Sequence, residues 1–118
     1  MIAAGIGFRA GAGVASLRDA LTKAGSGAQL LCTATDKAGS AAFLALAAEL
    51  GLPVASISQE TLADQPVLTH SARVEALYGT GSLAEAAALA GAGPGARLLG
   101  ARVTSDDGKA TAALAIGA

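Results

Sequence analysis

Gly5, Gly7 and Gly11 surround Arg9 at the end of a short apolar run, in the order Gly5-Ile6-Gly7-Phe8-Arg9-Ala10-Gly11. A glycine-rich turn lets a ligand approach the backbone, and a helix N-terminus behind it offers free N–H groups to an anion. Arg9 can clamp a carboxylate through two parallel hydrogen bonds. The spacing is not the dinucleotide fingerprint. That pattern puts its third glycine at position 10 and needs an acidic residue closing a second strand. Two readings of the turn stand: an anion site, or a tight turn whose glycines only permit close packing.

Gly79-Thr80-Gly81-Ser82 forms a second segment of the same kind. Its backbone amides and two hydroxyls suit an anion, although Ser82-Leu83-Ala84-Glu85 also reads as a capping box, which by itself explains Ser82 and Glu85. Thr33, Thr35, Asp36 and Lys37, at the end of a predicted strand, would reach the same sheet edge, where open α/β sheets bind ligands; the other reading of Asp36 and Lys37 is two exposed charges between elements. Other reactive types are sparse. His70 is the only imidazole, and its neighbour Ser71 seldom acquires nucleophile–base geometry by adjacency alone. Cys32 lies inside a predicted strand and reads as a small buried hydrophobe. One Cys and one His cannot build a metal centre, so neither a metal nor another cofactor is expected.

Positioning these residues falls to an alternating set of elements. Ile2–Phe8, Leu30–Ala34 and Val54–Ile57 read as strands. Val14, Leu17 and Leu21 recur at helical spacing. A second helix runs from about Ser40 to Leu50, with Phe43, Leu46, Ala47 and Leu50 on one face and a stop at Gly51 and Pro53. A short helical turn is predicted at Gln59–Ala63, a short helix or an ordered loop over His70–Leu77, and a helix over Leu83–Ala90. Leu98–Thr104 and Lys109–Ile116 read as a hairpin joined at Asp107-Gly108. The expected fold is a three-layer α/β/α sandwich around a mixed, mostly parallel five-stranded sheet that ends in a β-hairpin. Residues 1–118 read as a single domain.

Composition narrows the function classes. Of 118 residues, 32 are Ala and 16 Gly, while Leu, Ile, Val and Phe total 27. The core must therefore close by backbone approach over small residues. Hydrophobic residues at 53% against 14% charged exclude a disordered chain. A formal net charge of −1 without a basic patch or stacking aromatics argues against nucleic acid. No apolar stretch is long enough to span a bilayer, and the start lacks the pattern of a signal peptide. A cytoplasmic location is expected.

Three blocks carry a family resemblance. They are GIGFRAG at the N-terminus, TATDKAGSAAFLALAAELGLPV in the middle, and SARVEALYGTGSLAEAAAL over residues 71–89. In this order, with Arg102 and the closing ATAALAIG, the chain resembles the CobE family, which is similar to the C-terminal domain of CbiG in cobalamin biosynthesis. The resemblance implies the stand-alone CobE form, associated with the aerobic route. It also implies that Gly5, Gly7, Arg9, Gly11, Lys37, Ser71, Gly79, Thr80, Gly81, Ser82 and Glu85 occupy the family's motif positions. Phe8 and Ala10 stand where the family often has Cys and a second Arg, so no nucleophilic thiol is needed at position 8. The implied ligand is a corrinoid or precorrin intermediate, rich in acetate and propionate arms. Lys37 and Arg9 would meet those arms, and Tyr78 would lie against the macrocycle. A carrier of that intermediate is the leading expectation. A tetrapyrrole hydrolase or isomerase, or a docking module for cobalamin-pathway enzymes, remains open beside it.

Overall fold

The computed structural model describes residues 1–118. In chain order the elements are β1 (Ile2–Phe8), α1 (Val14–Ala24), β2 (Leu30–Ala34), α2 (Ala41–Leu50), β3 (Val54–Ile57), α3 (Gln59–Ala63), α4 (Ala72–Tyr78), α5 (Leu83–Ala92), β4 (Arg97–Leu98), β5 (Val103–Thr104) and β6 (Ala110–Ile116). The sheet order is β3-β2-β1-β6-β4, and β5 also pairs with β6. β1, β2 and β3 pair in parallel, while β6 is antiparallel to β1, β4 and β5. Only β6 therefore runs against the other five strands. The mixed three-layer sandwich expected from the alternation is what the chain adopts.

The period of two along β1 sorts its side chains between the layers. Ala4 and Ile6 face α1 and α2, in a core built on Leu17, Leu21, Leu31, Phe43 and Leu46. Ala3 faces the opposite layer, with Cys32, Ile57, Leu62, Leu83, Ala86 and Ala87. On that side the helix backbone sits directly on the sheet. A Cβ added at Gly5 would lie 1.9 Å from the Ala84 carbonyl oxygen, and one added at Gly91 would lie 2.3 Å from the Cys32 sulfur. Small residues thus replace side-chain volume with backbone proximity, as the scarcity of large apolar groups requires.

The hairpin differs from the expected one. A single strand over Leu98–Thr104 is replaced by two short ones, giving six strands rather than five. Leu98 pairs with Ala115 and Val103 with Ala112. Five steps on one strand thus oppose three on the other, and two extra residues are extruded as a bulge. The Arg102 N–H, turned out of the ladder, donates to the Glu85 carboxylate at 2.8 Å. At the tip, Ser105 and Gly108 close the turn, and Asp107 accepts from Ser105 Oγ, the Lys109 N–H and Ser16 Oγ of α1. No helix is long and apolar enough to cross a membrane.

Candidate functional site

β1, β2 and β3 all end on one edge of the sheet, and the antiparallel β6 begins there. The register that pairs Phe8 with Ala110 brings Arg9 and Lys109 together, and the Arg9 N–H donates to the Lys109 carbonyl at 3.0 Å. Over this edge lies α4, whose N-cap is Ser71 and whose Arg73, Val74, Leu77 and Tyr78 face a groove of about 440 Å³. Phe8, Val74, Leu77 and Leu83 supply apolar surface. Arg9, Lys37, Arg73, Arg102 and Lys109 supply charge, and no Asp or Glu lines the groove.

That is five of the eight cationic residues in a chain of net charge −1. All the ion pairs lie elsewhere, joining Arg18 to Glu49 and Lys23 to Asp19 and Asp106. The nearby Asp36 is also engaged away from the five cations. Asp36 accepts from the Tyr78 hydroxyl at 3.0 Å, and burial together with that carboxylate pushes the phenol up to about 12. Lys37 is partly committed. Its Nζ donates to the Phe8 carbonyl at 2.6 Å and sits 4.9 Å from the centre of the Phe8 ring, which stacks on Phe43. This contact steadies the ammonium over an aromatic face and leaves its other donors available.

A second space of about 590 Å³ adjoins the groove, lined by Gln65, Val67, His70, Ser71, Glu75 and Gly79–Gly81 among others. It contains no Lys or Arg. Ser71 borders both spaces, and its N–H donates to the Gly81 carbonyl at 2.8 Å. The two glycine segments are therefore neighbours, yet they do not share one rim. Gly7, Phe8 and Arg9 line the groove, while Gly79, Thr80 and Gly81 line the adjoining space.

Several residues proposed from sequence serve the frame instead. Gly5 lies inside β1 beneath α5, not in the turn, and its missing side chain is what admits the helix. Thr33 is fully buried, its hydroxyl donating to the Ile6 carbonyl at 2.7 Å. Thr35 is exposed outside the groove, donating to the Ile57 carbonyl. Gly11 lies in the exposed loop before α1 with nothing near it. Ser82 is buried as the N-cap of α5, accepting from the Glu85 N–H. Thr80 is also buried.

Glu85 completes only half of the expected capping box. Its carboxylate turns away from Ser82 and accepts from the Leu68 and Thr69 N–H groups, the Thr69 hydroxyl and the Arg102 N–H. Burial pushes this carboxyl up, but the donors outweigh it and hold it below its usual range. Glu85 thereby ties the segment before Ser71 to the bulge that presents Arg102. His70 faces the adjoining space, and the Ser71 hydroxyl accepts from the Val74 N–H as a helix cap. Cys32 is buried, which pushes its thiol up to about 12. Arg73, Arg102 and Lys109 are not marked as site residues by the sequence, although all three line the groove. Arg73 shares a helix face with Val74, Leu77 and Tyr78, whereas nothing local marks Lys109, which reaches the groove only through the pairing of β1 with β6.

Fold and groove define an α/β protein with a cleft lined by five cationic residues at the edge where its parallel strands end. Residues 2–115 match the family described as Cobalamin synthesis G C-terminus, and the chain belongs to that family. It is thereby a protein of cobalamin biosynthesis. Among solved structures it is similar to CobE, a protein from the cobalamin (vitamin B12) biosynthetic pathway, with 34% identity and a TM-score of 0.87 over 98% of this chain and 89% of the other. It is also similar to the cobalamin biosynthesis protein chiG from Agrobacterium tumefaciens str. C58, with 33% identity and a TM-score of 0.72 over 100% and 99% of the two chains. A cobalamin biosynthesis protein G homolog from Sulfolobus solfataricus shares the fold at 18% identity and a TM-score of 0.71. The match covers 97% of this chain but 36% of that one. No curated protein sequence matches the chain.

Proposed function

We propose that this protein binds a corrinoid or precorrin intermediate by its side-arm carboxylates and delivers it between cytoplasmic enzymes of cobalamin biosynthesis. The observation that carries the reading is the groove with five cations and no acid. A flat macrocycle edged with acetates and propionates needs N–H donors at several points and apolar surface between them. Arg9, Arg73, Arg102, Lys37 and Lys109 offer the donors; Phe8, Val74, Leu77 and Leu83 offer the surface. Its volume lies in the ordinary range for small-molecule sites and suits one edge of the macrocycle, the remainder staying in solvent. The family and the likeness to CobE support the same ligand class.

Titration of the full chain with hydrogenobyrinic acid, followed by visible absorbance and gel filtration, tests this. A saturable spectral shift with co-elution is expected. Pigment that elutes free of the protein, with an unchanged spectrum, overturns the reading.

A further inference from the structure

We infer that the groove selects its ligand by the ionisation of the side arms, holding the polycarboxylate and releasing the amide. The inference rests on the binding reading above and specifies its ligand further. Guanidinium and ammonium groups carry donors and no acceptor. An ionised carboxylate arm is all acceptor and matches them fully. A primary amide arm offers one acceptor oxygen and brings two N–H donors of its own, and no carboxylate in the groove can receive those. The Tyr78 and Thr111 hydroxyls, which donate to Asp36 and to the Gly7 carbonyl, keep lone pairs for such donors, but a bond between neutral groups is weaker than an ion pair.

The cations are also not neutralised in advance. None of the five is ion-paired: Glu85 is held by backbone and threonine donors, Asp107 by two serines and the Lys109 N–H with the Lys109 charge nearby, and Glu75 faces the adjoining space. An ionised arm therefore answers a charge that the protein itself leaves unanswered. An amide arm leaves it so: it keeps only a hydrogen bond from a cation to a neutral carbonyl and gives up the attraction between opposite charges. The carried species accordingly belongs before amide formation on the side arms. The class of reaction that consumes it is conversion of a carboxylate arm to an amide, which removes the charge that held it.

Binding of hydrogenobyrinic acid to the full chain is compared with binding of the heptaamide prepared from it. Removing the charge from each contacted arm should weaken binding about five- to tenfold, so with three arms in contact the heptaamide should bind at least about a hundredfold more weakly. Binding of the acid should weaken with added salt and that of the amide should not. Lys109→Gln should weaken the acid and leave the amide nearly unchanged, narrowing the gap between them. Equal affinity for acid and amide overturns the selection while leaving the corrinoid-binding reading in place. Failure of both ligands to bind removes that reading, and the selection with it.

Discussion

At the scale of single residues, each groove cation other than Lys37, whose ammonium holds the Phe8 carbonyl, should act through the ligand and little through the fold, because none is committed to an internal ion pair. Arg9 is exposed at the rim, and Arg9→Ala should weaken corrinoid binding by about 1.5–3 kcal/mol, the usual size of a hydrogen bond to a charged group. Arg97→Gln, on the exposed β4 outside the groove, should leave the dissociation constant unchanged in the same titration. Equal effects of the two substitutions would mean that general charge, not the groove, draws the ligand. Arg9 and Lys37 are legible in the sequence because each lies within three residues of a strand's end. Lys109 is not, since its place depends on pairing residues about a hundred positions apart. Gly5 misleads for a related reason. Nothing local separates a glycine that faces a ligand from one that faces a helix.

At the scale of elements, the contact between α5 and the sheet is the most demanding in the molecule. Gly5→Ala sets a Cβ against the α5 backbone, which cannot step aside without moving the helix. A loss of about 3 kcal/mol is expected from urea unfolding, at the upper end of overpacking costs. Gly91→Ala meets a side chain instead, the Cys32 sulfur, so Cys32→Ala in the same chain should recover part of the loss. An additive double mutant would show that the two sites do not touch. α4 is the opposite case. It has no buried residue, and its Tyr78 hydroxyl reaches Asp36 in the loop after β2. Amides of 72–78 should exchange faster with deuterium than those of α5, and bound corrinoid should slow them. The strands and the longer helices are legible because their apolar periods are local. The split of the predicted strand at Leu98–Thr104 is not, because it depends on Glu85, which lies outside the hairpin and draws the Arg102 N–H out of the ladder.

At the scale of the whole molecule, two carboxylates join parts that no sheet ladder connects, and they make stability depend on pH. Glu85 links the 68–69 segment to the bulge at Arg102, and Asp107 links the hairpin tip to α1. The donors around Glu85 hold its carboxyl below the usual range despite burial; Ser105, Ser16 and the Lys109 N–H hold Asp107 down at about 2. A carboxyl that is more acidic in the folded state stabilises fully above its unfolded value, and that contribution fades as pH falls through the folded one. The urea midpoint should therefore be flat near neutrality, fall below about pH 4.5, and continue falling toward pH 2. Glu85→Gln should be less stable than the parent at pH 7 by about 2 kcal/mol, since the amide nitrogen cannot accept from Arg102 or Thr69. Its midpoint should also fall less as the pH drops below about 4.5, because one carboxylate whose protonation costs stability is gone. Binding adds a discriminating measurement. Acid protonates the arms of the ligand as well as Glu85, so weaker binding at low pH alone does not separate the two. Glu85→Gln at pH 7 leaves the ligand ionised and releases the ties that position Ser71 and Arg102. Corrinoid affinity should then drop while the protein remains folded by circular dichroism, and unchanged affinity would show that the groove holds its shape without this carboxylate.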